Sequence, residues 1–239
     1  MPDLNFDGLS VDYEIVRCAR KTLGVVISPN GVVVARAPFN ASRADIVDFV
    51  ERSKPWIFKH LARYRQVYRP RDFTSGEDIP YLGKKYKLKV ISDGAGTPLA
   101  LVGSRLEIHV AHDLEGAARR KAVKQIIVCW YTAQARQVLT TRLCKLACRL
   151  GICPTAVKVK HQVRRWGSCT ASGVINLNWQ LIMAPAEVID YVIVHELCHL
   201  RVHGHQQEFW QCIGQYMPDY KKRRKWLREN GQALSFLLE

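Results

Sequence analysis

No apolar stretch in this chain is long enough to cross a bilayer. The longest candidate, Val188 to Leu200, is interrupted by His195, Glu196 and His199. The N-terminus, Met1-Pro2-Asp3-Leu4-Asn5-Phe6-Asp7, has neither the basic nor the apolar region of a secretory leader. Together these absences lead us to expect a cytoplasmic protein with no membrane partner. No internal repeat or low-complexity linker stands out, so a solenoid or array is not expected. There is no paired Cys-x-x-Cys knuckle, although the chain has 8 cysteines. With 239 residues, 48% of them hydrophobic, it needs no disulfide framework. We therefore read most of the cysteines as reduced, with Cys144, Cys148 and Cys153 a weak candidate for a second, structural metal. Acidic residues are scarce: 21 Asp and Glu stand against 36 Lys and Arg, a formal charge of +15. That balance favours acidic partners, nucleic acid among them, though net charge bears on association and not on fold.

What the chain does have is ordered patterning. Residues 11–37 alternate as strands do, and Asn30-Gly31 between β-branched runs marks a hairpin, since both positions tolerate positive φ. Ser42 reads as an N-cap, and Ser53-Lys54-Pro55 restarts a helix, giving helices at about 43–67. A Gly, Asp and Pro-rich loop runs to about residue 80, followed by strands at Tyr86–Ile91 and Leu106–Val110. From Gly116 the pattern turns helical, with one long helix stopping at Gly151. Short strands at Val157–Lys160 and Val174–Asn178 come next. Pro185 opens a helix that breaks near Gly204, and further helices follow at about 206–216 and 220–229. The expected class is α+β: a β-rich N-terminal region over 1–115 and a mainly helical catalytic region over 116–239.

The stretch that carries chemistry is His195-Glu196-Leu197-Cys198-His199. Residues four apart lie on one helix face, so both imidazoles can address one ion. Zinc accepts imidazole nitrogen and keeps an open position for water when three protein ligands hold it. Glu196 lies about 100° around the helix from His195, free to act as general base without ligating the metal. His205 is preferred as the third ligand. His203 would extend a near-linear row along the same face, and Cys198 points off it. The site expected is therefore one zinc ion on His195, His199 and His205, with Glu196 as the catalytic base. Arg164 and Arg165 read either as solvated charges or as contacts to an oxyanion or acidic substrate. The strand at Ile175-Asn176-Leu177-Asn178 reads either as internal or as an edge that an extended substrate can join. The run Lys221-Lys222-Arg223-Arg224-Lys225-Trp226 reads as a helix with Trp226 inward and a solvated basic face, or as a phosphate-contacting patch.

Arg165-Trp166-Gly167-Ser168-Cys169, Ile175-Asn176-Leu177-Asn178-Trp179, Val192-Ile193-Val194-His195-Glu196-Leu197-Cys198-His199-Leu200, His205, Phe209-Trp210 and Met217-Pro218-Asp219-Tyr220 closely resemble the YgjP-like metallopeptidase family. The chain is similar more distantly to SprT-like and other zincin proteases. The resemblance covers most of the chain and is strongest from residue 160 onward. It implies a zincin-type catalytic half with His195, His199 and His205 on the metal and Glu196 as base. The SprT-like relatives act on DNA-bound proteins, which adds nucleic acid to the expected partners beside a peptide or protein substrate. Three functions stay open at this point: a zinc peptidase, a zinc hydrolase of a non-peptide bond, and a basic nucleic-acid-binding protein with a structural metal site.

Overall fold

The computed structural model describes residues 3–6, 9–27, 31–67, 71–94, 98–163 and 165–235. Two compact units divide at Pro70 and Arg71. In the first, strands β1 (Asp3–Phe6), β2 (Leu9–Arg17), β3 (Gly24–Ile27) and β4 (Val33–Ala37) form a sheet in the order β1-β2-β4-β3. β3 and β4 pair antiparallel, as the expected hairpin requires, although Asn30 of its turn lies outside the described residues. Helices α1 (Arg43–Arg52) and α2 (Lys54–Val67) follow. Ser42 caps α1 as expected, its Oγ accepting from the Asp45 amide at 3.0 Å. Tyr13, Val33, Ala35, Ile46, Val50 and Ile57 are among the residues that close this unit's own core.

The second unit begins with β5 (Asp78–Tyr81), β6 (Lys84–Ser92), β7 (Leu99–Val102) and β8 (Arg105–Val110), ordered β5-β6-β8-β7. β5 was hidden in sequence by Pro80, a residue tolerated at a sheet edge because no ladder bond is lost there. Across this sheet lies α3 (Gly116–Leu150). Its Val123, Ile127, Tyr131, Ala135, Leu139, Leu143 and Ala147 are buried at helical spacing. The Tyr131 hydroxyl donates to the Pro80 carbonyl and so ties α3 to β5. The predicted stop is where it should be: Gly151 takes φ +63°, and the Ile152 amide donates back to Ala147 O at 3.0 Å.

A small sheet follows, made of β9 (Ala156–Lys160), β10 (Gly167–Cys169) and β11 (Val174–Asn178) in the order β10-β11-β9. A 3-10 turn over Trp179–Met183 leads into α4 (Ala186–Cys198). Helices α5 (Gln207–Tyr216) and α6 (Tyr220–Asn230) complete the unit. Strands dominate the N-terminal part and helices the C-terminal half, so the class is α+β as expected. No helix among the described residues is long and apolar enough to cross a membrane.

Candidate metal centre

α4 is apolar on nearly all sides: Val188, Ile189, Val192, Ile193, Val194 and Leu197 are buried. It can therefore lie in the middle of the unit and carry its few polar groups to one internal cleft. His195 stands in its last turn and His199 caps it, with ring centroids 4.9 Å apart. The chain then turns, and Gly204 at φ +82° reverses it. His205 comes back to within 5.1 Å of His195 and 4.7 Å of His199, ring to ring. One ligand nitrogen from each of the three lies within 4.8 Å of the others.

The donor set fits a divalent metal. Two tetrahedral ligands at zinc's usual bond length stand roughly 3.3 Å apart, and Nε2 of His205 is 3.1 Å from Nε2 of His195. His199 Nδ1 faces the Val202 carbonyl at 3.3 Å, the contact that fixes a ligand's tautomer and leaves Nε2 for the metal. His195 Nδ1 is buried with no hydrogen-bond partner among the described residues. Burial, and then the neighbouring His199, His205 and Arg224, push the His195 pKa down to about 3. His199 is lowered as well, chiefly by burial. Neutral imidazole is the form that binds metal. Phe209 stacks on His199 at 4.3 Å and meets His195 and His205 edge-on at 4.8 Å, forming an apolar floor.

Glu196 is only 5% exposed. Burial pushes its carboxyl pKa up to about 7, with the Arg165 charge opposing. Its side chain lies against the backbone of Gly167, where an added Cβ would stand 2.6 Å from Glu196 Cγ and Oε1. Gly167, Ser168 and Cys169 of β10 form one wall of a cleft of about 520 Å³, with the three histidines and Glu196 within it.

His203 lines the same cleft, exposed, outside the cluster of three. Cys198 is buried and turned to Cys212, Sγ to Sγ 3.4 Å. Cys144, Cys148 and Cys153 are exposed and form no metal-holding group among the described residues. Trp179 is a core residue, as expected. Arg165 stands at the cleft and Arg164 lies outside the described residues. The substrate-edge reading of Ile175–Asn178 does not hold: β11 is paired on both sides, antiparallel to β10 and parallel to β9. The strand with an open side toward the cleft is β10.

Two contributors escaped the sequence. Trp210 Nε1 donates to the His205 carbonyl at 3.0 Å and so anchors the third histidine's backbone. The Arg224 guanidinium lies 4.4 Å above the Trp210 ring, which also stacks on Tyr220 at 5.5 Å. The sequence marks Trp210 only as part of the Phe209-Trp210 pair and of a helix with an apolar face; nothing in it ties Arg224 to Trp210.

Residues 21–230 match the family model described as the YgjP-like metallopeptidase domain, and the chain belongs to that family. Among solved structures it is similar to the metallopeptidase zymogen of Pyrococcus abyssi abylysin at 20% identity, over 38% of this chain and 93% of that one, with a TM-score of 0.34. That likeness is too slight to transfer anything to this chain. A search of curated proteins found no match.

Proposed function

We propose that this chain is a zinc metallopeptidase that hydrolyses peptide bonds in peptide or protein substrates. One observation carries the reading: three imidazoles and a buried carboxyl whose pKa is raised to about 7 meet in one cleft. His195, His199 and His205 would hold the ion. When bound, such a cation supplies Lewis acidity, making water more acidic and polarising a carbonyl. Glu196 takes the proton of the attacking water and returns it to the leaving amine. A carboxyl poised near neutrality suits both halves of that exchange, because neither transfer is strongly uphill. The wall at Gly167–Cys169 offers backbone groups to an extended chain, giving affinity with little sequence demand. Phe209 and the buried face of α4 close the inner side of the histidine cluster.

The test pairs two variants. Elemental analysis should find roughly one zinc per chain in the parent and none in His199→Ala. Glu196→Gln should keep the zinc and lose about 10²–10⁴-fold in peptide hydrolysis. Full turnover in Glu196→Gln would sink the proposal.

A further inference from the structure

The described residues of 161–166 form no helix or strand, yet they lead into one wall of the cleft. β9 ends at Lys160 and β10 begins at Gly167, and β11 lies between the two strands. The connection therefore arches over the end of β11 and spans two strand spacings, about 10 Å. Such an arch has no ladder partner, so its backbone carbonyls need donors from elsewhere.

Asn178, the last residue of β11, supplies them. Its side-chain amide nitrogen donates to the Gln162 carbonyl at 2.8 Å and to the Arg165 carbonyl at 3.1 Å. Its backbone N–H donates to the Trp166 carbonyl at 2.9 Å. Its Oδ1 accepts from the Gln180 amide at 3.2 Å and caps the 3-10 turn that follows. The whole residue is buried. Gln162 adds a second tie: its Nε2 donates to the Asn176 carbonyl and its Oε1 accepts from Ser168 Oγ, both at 3.3 Å. Ser168 Oγ also accepts from Asn176 Nδ2 at 3.3 Å. These bonds lie on the face of the small sheet away from Glu196, because Ser168 alternates with Gly167 along β10. Asn178 and Gln162 do not line the cleft, whereas Arg165, Gly167, Ser168 and Cys169 do.

We propose that Asn178, aided by Gln162, is a positioning residue that fixes the arch and, through it, the wall of Arg165 and β10 on which an extended substrate chain lies. The inference rests on the peptidase reading above and adds to it a residue that touches neither the substrate nor the candidate ligands. A wall held in place before binding spares the substrate the cost of ordering it. Glu196 and the histidines are carried by α4 and the turn before α5, so a loosened arch weakens substrate binding and leaves the reacting groups where they are. The chemistry of the position calls for Asn: its amide offers two N–H donors and an acceptor at this length. Asp keeps the length and the acceptor and turns an oxygen toward two carbonyls.

The experiment uses full-length, zinc-loaded protein, a quenched fluorescent peptide cut by the wild type, and the variants Asn178→Asp and Gln162→Ala. Gln162 is only half-buried, so its variant keeps the proposal testable where a charge at 178 prevents folding. KM should rise about fivefold, the worth of one ordinary hydrogen bond, while kcat stays within about twofold. A merely structural role would lower the active fraction, which moves kcat and leaves KM alone. Hydrogen exchange gives a second readout that needs no turnover: amides at 165–169 should exchange faster in the variants while α4 keeps its protection. A fall in kcat with KM unchanged, or no change in either constant, would overturn the proposal, as would unchanged exchange at 165–169. A wild type that cuts no peptide removes the peptidase reading and the substrate role with it; exchange at 165–169 then reports separately whether the arch is held by Asn178.

Discussion

Glu196 and Gly167 share a space that holds only one side chain. An alanine Cβ at 167 would stand 2.6 Å from two atoms of the Glu196 side chain, too close for either to keep its place. Gly167→Ala should therefore lower peptide hydrolysis by about 10²-fold through misplacement of the base, since a shift of the order of 1 Å has that effect. Zinc content should not change, because no ligand moves; a loss of metal in step with activity would show that Gly167 supports the histidines instead. The same carboxyl should leave a mark on stability. In the metal-free protein Glu196 titrates near 7 in place of its ordinary 4.5, so between those values the folded chain binds a proton that the unfolded chain has released. Its contribution to stability is thus lost as pH rises through that window. His195, moved from 6.5 to about 3, does the opposite: its contribution is lost as pH falls through that range. Glu196→Gln removes only the first effect. Urea unfolding of zinc-stripped protein should show the variant gaining on the parent from pH 4.5 upward and levelling above 7. The gain should be on the order of 3 kcal/mol, from 1.36 kcal/mol per pH unit. A difference independent of pH would mean that burial does not govern this carboxyl.

At the scale of elements, the third candidate ligand, His205, is the least supported. His195 and His199 are held by a helix that is buried along most of its length, whereas His205 lies in the turn before α5. Its backbone is tied through one side-chain donor, Trp210 Nε1. Trp210→Phe keeps one ring for Arg224 and Tyr220 and deletes the N–H together with the indole's second ring. Chelator competition should show zinc affinity reduced by about tenfold, the scale of an outer contact to a metal ligand. Unchanged affinity would mean that the edge-on contact of Phe209 with His205 positions the loop without the hydrogen bond. This element view also explains what could be read from sequence. α3 was legible because its apolar residues recur every turn over its whole length and Gly151 ends it. The pairing of His195 with His199 was legible because their spacing at the end of α4 is local. β10 was not, since Gly-Ser-Cys carries no alternation; its strand character comes from pairing with β11, which was legible. Reading β11 as a substrate edge failed for the same reason: strand order is a property of the sheet and leaves no trace in one strand's residues. The link from Arg224 through Trp210 to His205 joins side chains on α5 and α6, and no spacing rule reports such a contact.

For the whole molecule, the question is how much of the chain the metal centre needs. The buried residues fall into two separate clusters. One runs from Leu4 to Leu61, the other from Phe73 to Leu234. The unit built around the second contains α3, α4 and α5, the residues lining the cleft and every candidate ligand. A unit with its own closed core is able to fold alone, and one of this size buries enough apolar surface to do so. The fragment beginning at Arg71 should accordingly unfold in a single cooperative transition and bind about one zinc per chain. Adding His199→Ala to it should abolish that binding, as in the full chain. Hydrolysis of the peptides cut by the full chain should persist in the fragment, since Glu196, Gly167 and β10 all lie within it. A fragment that folds and binds zinc but cuts nothing would assign the N-terminal sheet a part in substrate binding. A fragment that does not fold would show that the second core is incomplete without residues 1–70. The metal count and the denaturation curve, measured on one preparation, distinguish these outcomes.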